Sequence, residues 1–392
     1  MIPIYIQCFS TISALGNSDG LRDAIFSDSR SGVQHHKGLF HQETPYGLVP
    51  SESILDLSTI YQRFPNLSQQ RLNRTTQLTA TALCEILPEI ESVKKQVGNH
   101  RIGIVLGSST GGMLETEKYF TDGENDPHYD DTTLEVYSPV KFIAEALGIT
   151  GPVFAISTAC SSSAKALASA ARMIRSGLAD AVIAGGIDGM TGFTVAGFSA
   201  LGATSQDITL PFSSNRNGIN LGEGGALFLL STTPSDIELA GYGETSDAYH
   251  ISSPDPSAAQ VIRAMQQALE MAGEKTVDYI NAHGTGTVHN DSMESVAISS
   301  VLGTNVPTSS TKPITGHTLG GAGALEAAVS CMAIQEQRLP THFSDNLFDR
   351  NIPAISLVNQ SISARIRCVL SNSFAFGGNN AVLLFRQVKE NA

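Results

Sequence analysis

Cys160 lies in Ser157-Thr158-Ala159-Cys160-Ser161-Ser162-Ser163, between a short apolar run and a helical segment of small residues. A thiol at a helix N-terminus feels the positive end of the helix dipole, which favours the thiolate. A strand-to-helix turn also holds a nucleophile rigidly and presents it to a cleft. The setting predicts a reactive, exposed Cys160; a buried structural cysteine is the competing reading. Cys8, Cys84, Cys331 and Cys368 lack that setting and read as structural. Two histidines occupy glycine-bearing turns, His283 in Asn281-Ala282-His283-Gly284-Thr285-Gly286-Thr287 and His317 in Thr315-Gly316-His317-Thr318-Leu319-Gly320-Gly321. Such turns let backbone approach a ligand closely. One thiol and two imidazoles suit either acyl chemistry or zinc. No second thiolate is near in sequence and His283 and His289 are six apart, so no metal is expected. No GxxxxGK[ST] occurs, and Gly320–Gly323 does not complete GxGxxG, so a nucleotide cradle is not supported.

Strands alternating with helices must position these groups. Ile102–Leu106, Val153–Ser157 and Ala181–Ala184 read as strands, and a helix is predicted from about Ser161 to Ser176, stopped by Gly177. Within it Ala164, Leu167, Ala171 and Ile174 recur at helical spacing, and the remaining positions are mostly Ala or Ser. A second series starts near residue 236: strands at Tyr279–Ala282, Pro307–Thr311, Val369–Ser371 and Val382–Phe385, and an Ala/Gly-rich helix over about Gly321–Gln335. Two halves, 1–235 carrying the thiol and 236–392 carrying both histidines, therefore run through a similar element order. This suggests a structural duplication in one fused body.

Composition narrows the class. At 392 residues the chain can bury about three-quarters of its unfolded surface without a disulfide or metal staple. Five scattered cysteines with no CxxC argue against a disulfide framework. A net charge of −13 argues against nucleic-acid binding. No apolar run approaches the length of a membrane span, and the first residues read as a strand, so a cytoplasmic α/β enzyme is expected.

Four blocks carry a family resemblance: Thr158-Ala159-Cys160-Ser161-Ser162, His283-Gly284-Thr285-Gly286-Thr287, Thr311-Lys312-Pro313-Ile314-Thr315-Gly316-His317, and Asn372-Ser373-Phe374-Ala375-Phe376-Gly377-Gly378-Asn379-Asn380. Together they resemble the elongating β-ketoacyl-acyl-carrier-protein synthases over essentially the whole chain. The resemblance implies a thiolase-like fold, with two duplicated βαβαβαββ halves in a five-layered α-β-α-β-α arrangement. It implies decarboxylative Claisen condensation of an acyl chain, held as a thioester on Cys160, with a malonyl-acyl carrier protein. His283 and His317 would promote decarboxylation by hydrogen-bonding the enolate oxygen. Lys312 would pair with Glu294, which lies eleven residues after His283, and so orient the histidines. Backbone N–H groups of Cys160 and Phe376 would hold the tetrahedral oxyanion. Thr285 and Thr287 would bind the pantetheine arm, and Phe376 would gate the thiol on a loop hinged at Gly377 and Gly378.

No cofactor bound by the enzyme itself is implied; the phosphopantetheine arm arrives on the acyl carrier protein substrate. Arg63, Arg71 and Arg74, on a stretch expected to be helical from about Gln69, match the region that meets the carrier. A dimer is implied, either a homodimer or a heterodimer with a chain-length-factor-like paralogue. Two other readings stay open: a noncatalytic partner subunit of such a heterodimer, and a cysteine-dependent acyl hydrolase. The initiating branch carries Asn where His317 stands.

Departures from the family pattern are also visible. Pro211-Phe212-Ser213-Ser214-Asn215-Arg216-Asn217-Gly218-Ile219 is neutral at two positions where the family is acidic, so its ion pairing must differ. Asn379 stands where the family has Thr, and the resemblance assigns no role to Lys165. The phrase Arg216–Gly224 is similar to ketosynthases of aryl-polyene-type specialised pathways.

Overall fold

The computed structural model describes residues 1–27, 31–36, 44–67, 72–121 and 134–388. Among the described residues, eleven strands form one mixed sheet. The first half contributes β1 (Tyr5–Ile12), β2 (Ile102–Gly107), β3 (Val153–Ile156), β4 (Ala181–Asp188) and β5 (Gly224–Ser231). The second contributes β6 (Ile237–Ser246), β7 (Tyr279–Asn281), β8 (Pro307–Ser309), the short β9 (Ser356–Leu357), β10 (Cys368–Ala375) and β11 (Asn379–Gln387). Their spatial order is β9-β8-β7-β10-β11-β6-β1-β5-β4-β2-β3. Without β9, each half reads third, second, fourth, fifth and first strand. In each half the first three of these are parallel and the last two pairings are antiparallel. The repeated order that the sequence suggested is therefore present strand for strand. One residue pair, Tyr5 with Glu238, joins the halves across β1 and β6.

Three helices of each half fill equivalent positions, α1 (Arg74–Val97), α2 (Ser138–Leu147) and α3 (Ser162–Arg175) in the first; α4 (Gly192–Ala200) follows β4 without a counterpart, and α5 (Ala259–Ala272), α6 (Val288–Leu302) and α7 (Ala322–Glu336) are the set of the second. The helices α3 and α7 touch each other and pack against strands of both halves, α3 on β2 and β4, α7 on β5 and β10. The central core lies there, from Ala168 and Ala328 to Phe228, Val369 and Phe385. A second core lies between the first half-sheet and α1 and α2, and a third between the second half-sheet and α5 and α6. This is the five-layered α-β-α-β-α arrangement.

Side-chain size explains why α3 and α7 can sit at the centre. Residues 322–334 are buried on every side, which only an Ala/Gly-rich helix allows without forcing the layers apart. A Cβ on Gly323 would stand 2.8 Å from Ala164 of α3. The end of α3 is set as read from the sequence: Gly177 has φ +74°, and the Leu178 N–H returns to the Met173 carbonyl at 3.0 Å.

Candidate active site

The thiol sits in the turn from β3 into α3. The preceding Ala159 has φ +52°, a left-handed conformation costly for a residue with a Cβ. Its neighbours hold it there. The Thr158 N–H donates to Ser162 Oγ at 2.8 Å, Ser161 Oγ donates to the Thr158 carbonyl at 2.9 Å, and Ser162 Oγ donates to the Ala159 carbonyl at 2.6 Å. On the opposite side Gly107 ends β2 so close that a Cβ would lie 2.3 Å from Ser162 backbone. The structure corrects one expectation. Cys160 is only 6% exposed, and burial pushes its thiol up to about 12, opposed by the Lys312 charge and by the Phe376 N–H aimed at the sulfur. In this closed state the thiol form prevails over the thiolate.

His317 and His283 meet beside it, their rings edge to face at 5.3 Å. His317 Nε2 lies 3.1 Å from Cys160 Sγ. Its Nδ1 accepts the Leu319 N–H at 3.3 Å, which places the ring proton on Nε2. His283 Nδ1 faces Lys312 Nζ at 3.3 Å. An ammonium can only donate, so this ring too carries its proton on Nε2. Burial first, then the Lys312 charge, lowers both imidazoles well below the usual histidine range; each ring also feels little room for a second positive charge beside that ammonium. The site thus presents two neutral N–H donors to one cavity, beside one sulfur.

Lys312 is fully buried and donates to the His283 carbonyl at 2.5 Å. Its carboxylate partner is Glu326 of α7, not Glu294 as the resemblance implied. Glu294 points elsewhere: it accepts the His283 N–H at 2.8 Å, the Gly284 N–H at 2.7 Å and Asn372 Nδ2 at 2.9 Å. It shapes the His283 turn through backbone, while Glu326 balances the lysine. Burial raises both carboxyls to about 7, against the pull of those donors. The sequence held one clue to Glu326: it is the one charged residue before the last position of an otherwise uncharged, buried helix, where a carboxylate needs a partner. Asp188, at the end of β4, also went unread. Fully buried, it accepts Ser108 Oγ at 2.6 Å, the Ser109 N–H at 2.9 Å and the Gly320 N–H at 2.7 Å, tying the turn after β2 to the turn after His317.

A cavity of about 390 Å³ runs from Cys160, His283 and His317 past Thr285, Thr287 and Phe376 to the surface at Leu201 and Val288. Thr285 and Thr287 share a hydrogen bond at 2.9 Å on its wall. Phe376 leans on Phe198 with ring centroids 5.4 Å apart. Gly377 and Gly378 have φ +81° and +73°, and a Cβ on Gly378 would meet Asp247 at 2.9 Å. At the neutral 213 and 217 positions Ser213 Oγ donates to Asp345 at 2.9 Å and Asn217 Oδ1 accepts Ser205 Oγ at 2.6 Å, while Arg216 draws its carboxylate from Asp349 at 2.7 Å. Of the three arginines, Arg63 is exposed at the end of the helix Leu57–Arg63, and Arg71 lies outside the described residues. Arg74 starts α1, stays partly exposed and pairs with the buried Glu223 at 2.5 Å and 3.1 Å. Among the described residues no cluster of His, Cys, Asp or Glu suits a metal ion, and no helix is long and apolar enough to cross a membrane.

Comparison with known proteins matches this geometry to a family. The model for the β-ketoacyl synthase N-terminal domain matches residues 40–235, and that for the C-terminal domain matches residues 237–344. The nodulation protein E of Rhizobium meliloti is 36% identical over 314 residues, 74% of this chain and 76% of that protein. The 3-oxoacyl-[acyl-carrier-protein] synthase 2 of Synechocystis sp. is 32% identical over 343 residues, 81% of this chain and 82% of that protein. Among solved structures, the ketosynthase of Xenorhabdus doucetiae, in complex with its chain length factor, superposes with a TM-score of 0.90 at 36% identity over 98% of both chains. A type II polyketide ketosynthase bound to its acyl-carrier protein superposes with a TM-score of 0.84 at 25% identity, covering 99% of each chain. With a thiol at a strand–helix turn, two neutral imidazoles and a buried lysine set in a thiolase-like fold, this chain belongs to the β-ketoacyl synthase family of acyltransferase-type condensing enzymes.

Proposed function

We propose that this chain elongates an acyl chain by decarboxylative condensation with a malonyl-acyl carrier protein. Cys160 attacks the carbonyl of an acyl thioester, the tetrahedral oxygen rests on the Cys160 and Phe376 N–H groups, and the carrier thiol leaves with the proton. The malonyl thioester then enters along Thr285 and Thr287. Its carboxylate leaves as CO2, and the electron pair of the broken bond becomes an enolate. The enolate oxygen accepts from Nε2–H of His283 and His317, its carbon attacks the acyl-Cys160 carbonyl, and the thiolate leaves. The carrying observation is the pair of neutral imidazoles, each with Nδ1 engaged and its proton on Nε2, with His317 Nε2 3.1 Å from the Cys160 sulfur at the cavity wall. A cysteine hydrolase needs one histidine acting as base, and here the tautomer makes His317 a donor toward the sulfur. Incubation with acyl- and malonyl-carrier substrates should yield one CO2 per β-ketoacyl product; a hydrolysed acyl group without CO2 release would overturn the reading.

The same reading assigns the thiol to a half spanning 1–235 and the histidines and Lys312 to a half spanning 236–392. It places the enzyme in the cytoplasm, with the pantetheine arm brought by the carrier and the carrier docked at Arg63, Arg71 and Arg74. A chain-length-factor-like paralogue is the favoured subunit partner over a second copy. The likeness to the Xenorhabdus ketosynthase and to the ishigamide ketosynthase/chain length factor, 26% identical with a TM-score of 0.87, supports that preference and a specialised pathway.

A further inference from the structure

Two departures from the family pattern, far apart in sequence, meet in the fold. Lys165 lies on the first turn and a half of α3, five residues after Cys160, and Asn379 opens β11, three residues after Phe376. Lys165 Nζ donates to Asn379 Oδ1 at 2.8 Å. The helix that carries the nucleophile is therefore tied directly to the loop that covers it.

The loop has a second set of holds on its other side. The Gly377 N–H donates to the Ile251 carbonyl at 2.8 Å, the Asp247 N–H donates to the Gly378 carbonyl at 2.8 Å, and Asn380 Nδ2 donates to Asp247 Oδ1 at 2.6 Å. Those contacts bind the loop to residues 247–251, whereas the Lys165 bond binds it to α3. With Phe376 packed on Phe198 and its N–H on the sulfur, Cys160 is covered. A bulky acyl group reaches the thiol only when Phe376 moves, and Gly377 and Gly378 are the positions that can absorb the turn. Moving the start of β11 stretches or breaks the Lys165–Asn379 bond. Lys165 is half-buried, and the nearby Glu244 is already engaged by Arg172, so Asn379 supplies the hydrogen bond that its ammonium makes here.

We infer that Lys165 and Asn379 form a latch between the nucleophile helix and the gate loop, a positioning pair that sets how freely large acyl groups reach Cys160. Its consequence for catalysis rests on the ketosynthase reading; its geometry does not. The test therefore uses the thiol itself. Cys160 of the full chain is alkylated with iodoacetamide, which is small, or N-phenylmaleimide, which is bulky, and each cysteine is followed by peptide mass spectrometry. The ratio of the two rates cancels changes in intrinsic thiol reactivity. Lys165→Met should raise the bulky-to-small ratio about fivefold, as expected for loss of one charge-assisted hydrogen bond. Asn379→Thr should do the same, and the double variant should add little to either single change. Lys165→Arg, which keeps a donor, should restore the original ratio. An unchanged ratio in both single variants, or fully additive effects, overturns the latch. If Lys165→Met also exposes the core residues Cys331 and Cys368, the chain has loosened globally and the Asn379→Thr ratio alone decides. If the unaltered chain releases no CO2 from malonyl-carrier while the ratio moves as expected, the ketosynthase reading fails and the latch stands.

Discussion

Lys312 touches one imidazole and disfavours protonation of both, and this single charge separates catalysis from folding at the residue scale. Lys312→Met leaves Glu326 buried without its cation, a change that costs about 3–5 kcal/mol. Lys312→Met combined with Glu326→Met removes both charges, so denaturant unfolding should recover most of that loss while CO2 release stays low. Recovery of both together would make the pair purely structural. His283→Ala and His317→Ala each remove one donor to the enolate. Malonyl decarboxylation should fall by about 10²–10³, while acyl-Cys160 still forms and is seen by intact-mass measurement. A third histidine carries a pH prediction. His342 is buried, accepts the Ser310 N–H at 3.1 Å and faces the Pro211 carbonyl at 3.2 Å, and burial lowers it to about 4. Below pH 6.5 the unfolded chain takes up a proton there that the folded chain refuses. The associated stability, at most about 3 kcal/mol, is therefore present above pH 6.5 and lost as pH falls toward 4. His342→Gln keeps a donor and an acceptor but no titration, so its melting temperature should decline less steeply over that window. Identical slopes would refute the assignment.

At the scale of elements, glycines decide how closely the central helices approach. Gly323→Ala places a methyl 2.8 Å from Ala164, between two helices that cannot separate without disturbing both half-sheets. A loss of about 1–3 kcal/mol is expected, with slower acylation because α3 positions Cys160. Gly177→Ala supplies the contrast. Nothing lies within 4 Å of its added Cβ, so only the φ of +74° opposes it, costing about 1 kcal/mol with acylation unaffected. Chemical denaturation of the two variants with acylation rates alongside distinguishes packing from backbone strain; equal effects on acylation would remove α3 position as the cause. Asp188 works at this scale too, since one carboxylate links turns from both halves of the chain.

For the whole molecule, β3 is the open question of surface. It lies at one end of the sheet, each of its residues retains exposure, and Phe154 is 37% exposed. An unpaired strand edge with an exposed aromatic invites another chain. Under the proposed function that chain is a paralogous subunit, with a second copy as the alternative. Phe154→Lys should shift light scattering toward the monomer and reduce elongation, while the fold stays intact by circular dichroism. A variant that remains dimeric and fully active would place the interface elsewhere.

Local order decided much of this protein before tertiary structure entered. The bounds of α3, its terminating Gly177, the strands that end at the chemical turns and the repeat of elements between the halves were all legible, because periodicity and turn residues act over a few positions. Cys160, His283 and His317 stood out by their turns, while Lys312, Thr285, Thr287 and the Phe376–Gly378 loop were named only by the family resemblance of short motifs. The sequence could not choose the carboxylate for Lys312: Glu294 and Glu326 lie 18 and 14 residues away, and only the packing of α7 against the Lys312 turn selects the second. Nor could it show that Arg74 pairs with Glu223, that Asp349 serves Arg216, or that Lys165 meets Asn379 across 214 residues. Each of these partners is supplied by the stacking of five layers, and burial then sets the state of the thiol and the imidazoles, which no stretch of neighbouring residues encodes.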